Sequence, residues 1–283
     1  MSTELHYRSR TLPPGCSGTL VKVTPAEARW DSITFAVRAV APGDPWKGDT
    51  AGEELCLVLL QGACRVCWNG GHPHTLGPRA DVFAAYPHAL YLPPRTAFTV
   101  EATAPTEIAE CRAPSDKAFP AKVITPEDCG FEIRGGGNAT RQIVDILPPC
   151  FPADRLMICE VFTPGGNWSS YPPHKHDEDN PPVEADLDET YYFRIRRPEG
   201  YAFQRLYRRD GSFDQTFMVR DGDLLLIRDG YHPFVTAHGF DAYYLNVLAG
   251  SRRSMAAADD PDYAHLRHEW PAPDPRLPMV AKK

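Results

Sequence analysis

Proline and glycine punctuate this chain at intervals too short for a helical fold. The 283 residues include 29 Pro and 21 Gly, and turn signals recur about every 8–12 residues between short apolar runs. Proline lacks a backbone donor and breaks helix interiors. A helical bundle is therefore excluded, and an antiparallel sandwich or barrel is expected. Pro-rich disorder is the other candidate, but 11% aromatic and 42% hydrophobic content provide a core that disordered chains lack. Length allows one or two domains.

The two halves follow one plan. DSITFAVRAV, ELCLVLLQG, ACRVCWNG, DVFAAYPHALYLPP and AFTVEATAPTEIAECRAP are answered by RLMICEVFTPG, ETYYFRIRRPEG, AFQRLYRRDG, QTFMVRDGDLLLIRDGYHPF and DAYYLNVLAG. ADVFAAYPHALYLPPR and DGDLLLIRDGYHP also share a phrase: an acidic turn, an apolar strand, then a Pro/Gly turn. An all-β fold of two barrels follows, with units at 1–130 and 131–283. A connector is expected from about Asp116 to Ala139, and a tail after Arg252 draped over one barrel. LCLVLLQGACRVCW reads as strand, turn and strand.

The net charge of −7 and the lack of a basic stripe argue against a nucleic-acid partner. No run of 18 apolar residues occurs, so no membrane partner is expected. The opening MSTELHYRSR carries no apolar segment, which points to the cytoplasm. Of eight cysteines only Cys64 and Cys67 form a C-x-x-C. Such a pair can be redox-active or half a zinc site. Inside a strand-like run, buried thiols in a reducing compartment are the simpler reading.

The chemistry concentrates in the second half. His174 and His176 are two apart, and residues i and i+2 of a strand share a face. Glu189 opens the next strand-like run, and His232 follows an apolar strand and a Gly turn. Three His and one Glu suit one divalent first-row ion: zinc first, manganese or iron otherwise. Twelve residues separate His176 from Glu189, so Glu178 and Glu184 compete for the carboxylate role. Glu189 is preferred because an aromatic strand would hold it rigidly. His72 and His74 follow Asn69-Gly70-Gly71 and read as a solvated hairpin tip. The first half has Glu54 ahead of an apolar strand but no H-x-H before it. Its barrel is expected to be metal-free.

H-x-H, a later Glu and G-x7-G-x-H resemble the two metal motifs of the cupin superfamily. TPGGNWSSYPPHKHD (Thr163–Asp177), ETYYF, QRLY (Gln204–Tyr207), GYHP (Gly230–Pro233), DAYYLNVLAG (Asp241–Gly250) and the earlier RGGGNATRQIVDIL are more specific. Together they resemble the 5-deoxy-glucuronate isomerases of myo-inositol catabolism. The likeness runs from about Arg134 to Gly250, and the first half matches only loosely. Two departures from the usual cupin pattern are the long His176–Glu189 spacing and Arg228-Asp229-Gly230 in place of Pro-x-Gly.

The resemblance implies a bicupin that converts 5-deoxy-D-glucuronate to 2-deoxy-5-keto-D-gluconate, with a sugar acid as its small-molecule partner. Assembly into a homo-oligomer is also expected. An aldose–ketose isomerisation moves a proton between adjacent carbons, so it needs a base and stabilisation of an enediolate. No dinucleotide fingerprint is needed or present. Tyr191, Arg205 and Tyr243 are the candidate catalytic side chains, Arg205 as a partner for the substrate carboxylate. Gln204 lies on the same strand as Arg205, and His238 is a lesser candidate beside Gly239. Three alternatives stand beside this reading: a uronate ketol-isomerase of pectin breakdown, an Fe(II) dioxygenase, and a sugar-acid-binding cupin without catalysis.

Overall fold

The computed structural model describes residues 4–282. The chain is all-β and forms two curled barrels that share a core between them. The principal sheet of the first runs Lys122–Ile124, Ala89–Leu92, Glu53–Trp68, Thr106–Pro114, Thr34–Val40, Gly18–Val23. That of the second runs His6–Arg8, Asp223–Ile227, Leu187–Ile195, Ala242–Gly250, Met157–Thr163, Arg141–Leu147, Gly130–Arg134. The order is the same in both, with one extra edge strand in the second. The shared phrase detected in the sequence falls on Ala89–Leu92 and Asp223–Ile227, which occupy matching places.

One boundary differs from expectation. His6–Arg8 pairs with Asp223–Ile227, so this segment belongs to the second sheet and not to a 1–130 unit. Lys122–Ile124, near the end of the 1–130 unit, pairs with Ala89–Leu92 of the first sheet. Each principal sheet thus carries a three-residue strand on the edge beside its shared-phrase strand, and of the two only His6–Arg8 crosses from one unit to the other. That covers backbone donors and acceptors an open edge would expose.

The expected hairpin at LCLVLLQGACRVCW is instead one strand, Glu53–Trp68. It bends at Gly62, where φ is +94° and a Cβ would lie 2.3 Å from the carbonyl of Pro105. Register slips flank the bend. The strand passes from the principal sheet into a smaller one with His74–Arg79 and Ala97–Ala102. Cys64 lies buried in this second portion, and burial pushes its thiol up to about 12. His72 and His74 are exposed, with His74 stacked on Trp68.

Strand alternation assigns the two faces of each principal sheet. On Leu187–Ile195, Tyr191 and Phe193 face the barrel interior, while Tyr192 packs in the core between the barrels. Both faces are buried, so Tyr191, Tyr192 and Phe193 form an aromatic run with no polar residue between them. The first barrel's interior is filled by Leu55, Leu57, Leu59, Leu90, Leu92 and Phe98. The second keeps polar groups and open space.

Glu54 ties the barrels together. Its side chain accepts the Tyr91 hydroxyl at 2.8 Å and the backbone N–H groups of Asp154, Arg155 and Leu156 at 2.8, 2.7 and 2.6 Å. The residue that the sequence offered as a lone would-be ligand is a fully buried clamp on the second barrel's chain. Glu54→Ala leaves four donors without an acceptor and should cost about 3 kcal/mol or more of unfolding free energy. Urea denaturation measures this; a loss under about 1 kcal/mol would show that water replaces the carboxylate.

Candidate metal centre

Three elements bring the site together: the short His174–Lys175 strand with His176 beyond it, the start of Leu187–Ile195, and the turn after Asp223–Ile227. Glu189 shares the inward face of its strand with Tyr191. Glu189 Oε2 lies 3.0 Å from His176 Nε2 and 3.3 Å from His232 Nε2. One potential ligand atom from each of these residues lies within 4.8 Å of the others, and all three residues are buried. His174 borders this trio. Its ring centroid is 4.7 Å from that of His232 and 6.4 Å from that of His176.

Each histidine ring has its Nδ1 against a backbone carbonyl. The partners are Pro172 O for His174 at 3.2 Å, Leu187 O for His176 at 3.1 Å and Gly230 O for His232 at 3.1 Å. A carbonyl only accepts, so Nδ1 carries the proton and Nε2 is left as the ligand atom. Burial pulls His174 and His232 down to about 3, so both rings are neutral at pH 7, the form a metal needs. His232 Nε2 is buried with no hydrogen-bond partner among the described residues. An orphaned acceptor beside a buried carboxylate fits a cation between them.

His176 behaves differently. Burial disfavours its charged form, yet Glu189 beside it raises its pKa. Burial likewise works against the Glu189 carboxylate, and the His176 and His232 rings hold its pKa low regardless. A proton on His176 thus balances the charge that an ion would balance when bound. Three His and one Glu fit a divalent first-row metal by donor type and by this charge balance.

The competing carboxylates have other work. Glu184 is buried, but it accepts Lys175 Nζ at 2.9 Å and the backbone N–H groups of Asp177 and Glu178 at 2.8 and 3.1 Å. Glu178 is exposed. Asp177 accepts the N–H of Gly230 at 2.7 Å, which pins the His174–His176 segment to the turn bearing His232. At Gly230, φ is +79° and a Cβ would lie 2.6 Å from the Tyr207 carbonyl. That explains why the glycine of the motif stays while Pro-x-Gly becomes Arg-Asp-Gly. Gln204 donates to the carbonyl of His232 and holds the turn from the other side.

The site opens on a cavity of about 330 Å³, a size that suits a six-carbon sugar acid. Tyr191 lines it, stacked on Tyr244 at 4.2 Å and bonded to Ser170 Oγ at 2.7 Å. Two other expected residues do not reach it. Arg205 faces outward, paired with Asp214 at 2.7 Å and lying over the Tyr207 ring; its strand points Gln204 inward instead. Tyr243 lies on the opposite face of its strand, in the core between the barrels, where its hydroxyl donates to Glu160 at 2.9 Å. The inward neighbours on that strand are Tyr244 and Asn246. His238 is exposed in its turn. Arg134, Arg141, Asp145, Ser170 and Arg267 also line the cavity and were not foreseen. Arg141, Ile143 and Asp145 alternate along one strand, which places all three on the wall.

Comparison with known proteins gives a consistent picture. The family model described as KduI/IolB family matches residues 7–266. The chain is 43% identical to the 5-deoxy-glucuronate isomerase of Geobacillus kaustophilus over 91% of its length and 92% of that protein's. It is 37% identical to the Bacillus subtilis protein of the same name, over 88% and 91%. The crystal structure of an IolB-like protein from Salmonella typhimurium superposes with a TM-score of 0.87 at 33% identity, covering 92% of this chain and 98% of that one. An oxalate decarboxylase from Lactobacillus farciminis shares the fold at 13% identity and a TM-score of 0.64, over 92% and 89%. With matching barrels, a matching family model and relatives this similar along nearly their whole length, the chain belongs to the KduI/IolB family and is an isomerase.

Proposed function

We propose that this isomerase converts 5-deoxy-D-glucuronate to 2-deoxy-5-keto-D-gluconate in the cytoplasm, as a metal-dependent step of myo-inositol catabolism. The observation that carries the reading is the His176–Glu189–His232 cluster opening on a cavity walled by arginines. His176, Glu189 and His232 would hold one divalent ion, with His174 as fourth ligand from the edge of the cluster. Zinc is the first candidate, manganese and iron the others. When bound, the ion supplies Lewis-acid polarisation of the substrate carbonyl and its neighbouring hydroxyl.

The chain's own groups handle the proton. Asp145 is the cavity carboxylate without an ion pair among the described residues. Burial, then the nearby Glu132, raises its pKa, which suits a base that takes a proton from one carbon and returns it to the next. Burial, with the Glu189 charge adding to it, holds Tyr191 protonated far above neutral pH. On this reading the Tyr191–Ser170 pair donates a hydrogen bond to an oxygen gaining charge and is not the base.

Incubating the protein with 5-deoxy-D-glucuronate, loaded in turn with zinc, manganese or ferrous iron, should give the ketone by NMR. A chelator should abolish conversion. Asp145→Asn should retain one metal per chain while turnover falls by about 100-fold or more. Absence of conversion with every metal would sink the reading. Faster turnover of the pectin-derived uronate would move the assignment to that ketol-isomerase.

A further inference from the structure

Arg141 opens the Arg141–Leu147 strand on the cavity wall, with only 4% of its surface exposed. Three arginines reach this wall, and two are neutralised within the chain. Arg134 donates twice to Glu132, at 3.0 and 2.7 Å. Arg267 pairs with Asp259 through two bonds, one of them 2.6 Å. Arg141 has no carboxylate partner among the described residues. Its Nη1 donates to the backbone carbonyls of Ala139 at 3.3 Å and Tyr171 at 3.1 Å. Nε and Nη2 have no hydrogen-bond acceptor among the described residues, and Arg141 is part of the cavity lining.

A buried guanidinium without a counter-ion is costly to keep. Burial and the neighbouring Arg134 and Arg267 lower its pKa, but only to about 10, so it is charged at neutral pH. Two free donors on a planar fork match the two oxygens of a carboxylate. The bond from Arg141 to the Tyr171 carbonyl ties this fork to the segment that leads into His174 and His176. A uronate has a carbonyl at one end and a carboxylate at the other, and the cavity lining offers the His/Glu cluster for the first and an unpaired guanidinium for the second.

Building on the proposed reaction, we infer that Arg141 is the specificity residue that binds the substrate carboxylate in a bidentate pair. It selects acids over neutral sugars. Arg134 and Arg267, already paired, contribute field and not direct contact. This role replaces the one the sequence suggested for Arg205, which faces solvent.

The test compares 5-deoxy-D-glucuronate with 5-deoxy-D-glucose, the same aldose with a hydroxymethyl in place of the carboxylate. The wild type should favour the acid by about 1,000-fold or more in kcat/KM. Arg141→Met should lower kcat/KM for the acid by about 100-fold or more, leave the neutral sugar within a few-fold, and keep its metal. Arg134→Met and Arg267→Met should retain most of the preference. The inference is overturned if metal-loaded Arg141→Met keeps the preference, or if an Arg134 or Arg267 variant loses it instead. Arg141→Lys, which keeps a donor for the Tyr171 carbonyl but not the fork, is read where Arg141→Met loses its metal: its preference for the acid should fall by about 10-fold or more, and an unchanged preference overturns the inference. A crystal structure of the wild type with the acid gives an independent reading: the carboxylate must lie on Arg141, and a carboxylate elsewhere overturns the assignment. If the wild type converts neither sugar, the proposed reaction fails by itself. Calorimetry then still decides the anion site, which requires tighter binding of the acid in the wild type and its loss in Arg141→Met.

Discussion

Replacing Glu189 with alanine should cost the protein its metal and its turnover together, while the barrels stay folded. Glu189 is the only negative charge in the cluster with His176 and His232. Without it, three neutral imidazoles would have to take a divalent ion out of water with no anion beside it, in a buried site. Changing groups that merely support ligands typically lowers metal affinity 10–100-fold, on the order of one to three kcal/mol. Loss of the charged ligand itself should exceed that. Glu189→Gln keeps the shape and removes the charge, so it should behave similarly. Glu178→Ala is the matching control, because Glu178 is exposed and no histidine of the cluster touches it. Equilibrium dialysis with metal analysis reads the outcome directly. Thermal melts add a second reading, since a metal present at about 1,000 times its Kd stabilises the wild type by about 4 kcal/mol. That increment should vanish in Glu189→Ala and persist in Glu178→Ala. One metal retained per chain in Glu189→Ala, at wild-type affinity, would remove the cluster from the mechanism.

The fate of individual residues shows what the linear pattern could convey. The inward face of Glu189 and Tyr191 was legible because a polar residue at a strand start fixes which face turns inward, whereas the H-x-H pair puts His176 in the cluster and leaves His174 at its border. His232 was legible because its glycine turn has one workable geometry, with the Tyr207 carbonyl against the missing Cβ. Tyr243 was misplaced for a physical reason. Tyr243 and Tyr244 are adjacent, chemically alike and both buried, so hydrophobicity carries no information about parity in a sheet covered on both faces. Arg141 was invisible for the same reason. Gln142 and Arg141 look equivalent in RQIVDIL, yet Gln142 faces away from the cavity and accepts the backbone N–H groups of Met279 and Val280. The crossing of His6–Arg8 to the second sheet rests on a strand of three residues, too short for periodicity to register.

Tyr243 leads to the second large effect, because its hydroxyl belongs to a buried charge network joining the barrels. Arg79 of the first barrel and Glu160 of the second form two bonds of 2.8 Å, with both side chains fully buried. Arg79 also donates to the carbonyls of Leu59, Val82 and Ala85, at 2.8, 3.2 and 3.0 Å. Glu160 has Tyr243 as a further donor. Glu160→Leu would leave the guanidinium buried with carbonyls alone, and Arg79→Met would leave a buried carboxylate with one hydroxyl. Each should cost about 3–5 kcal/mol, a large part of the roughly 5–15 kcal/mol that holds a domain together. The double substitution removes both charges at once, so it should cost well below the sum. It will not be free, because the three carbonyls lose their donor and each unsatisfied group costs about 1–3 kcal/mol. Urea unfolding of the metal-free proteins closes the cycle. A coupling of about 2 kcal/mol or more is the expected outcome, and additivity within about 0.5 kcal/mol would mean that the two charges do not depend on each other. The surviving carbonyl penalty also explains why an apolar pair would be a poor replacement here: Arg79 organises the backbone bend around Val82–Ala85 as well as cancelling a charge.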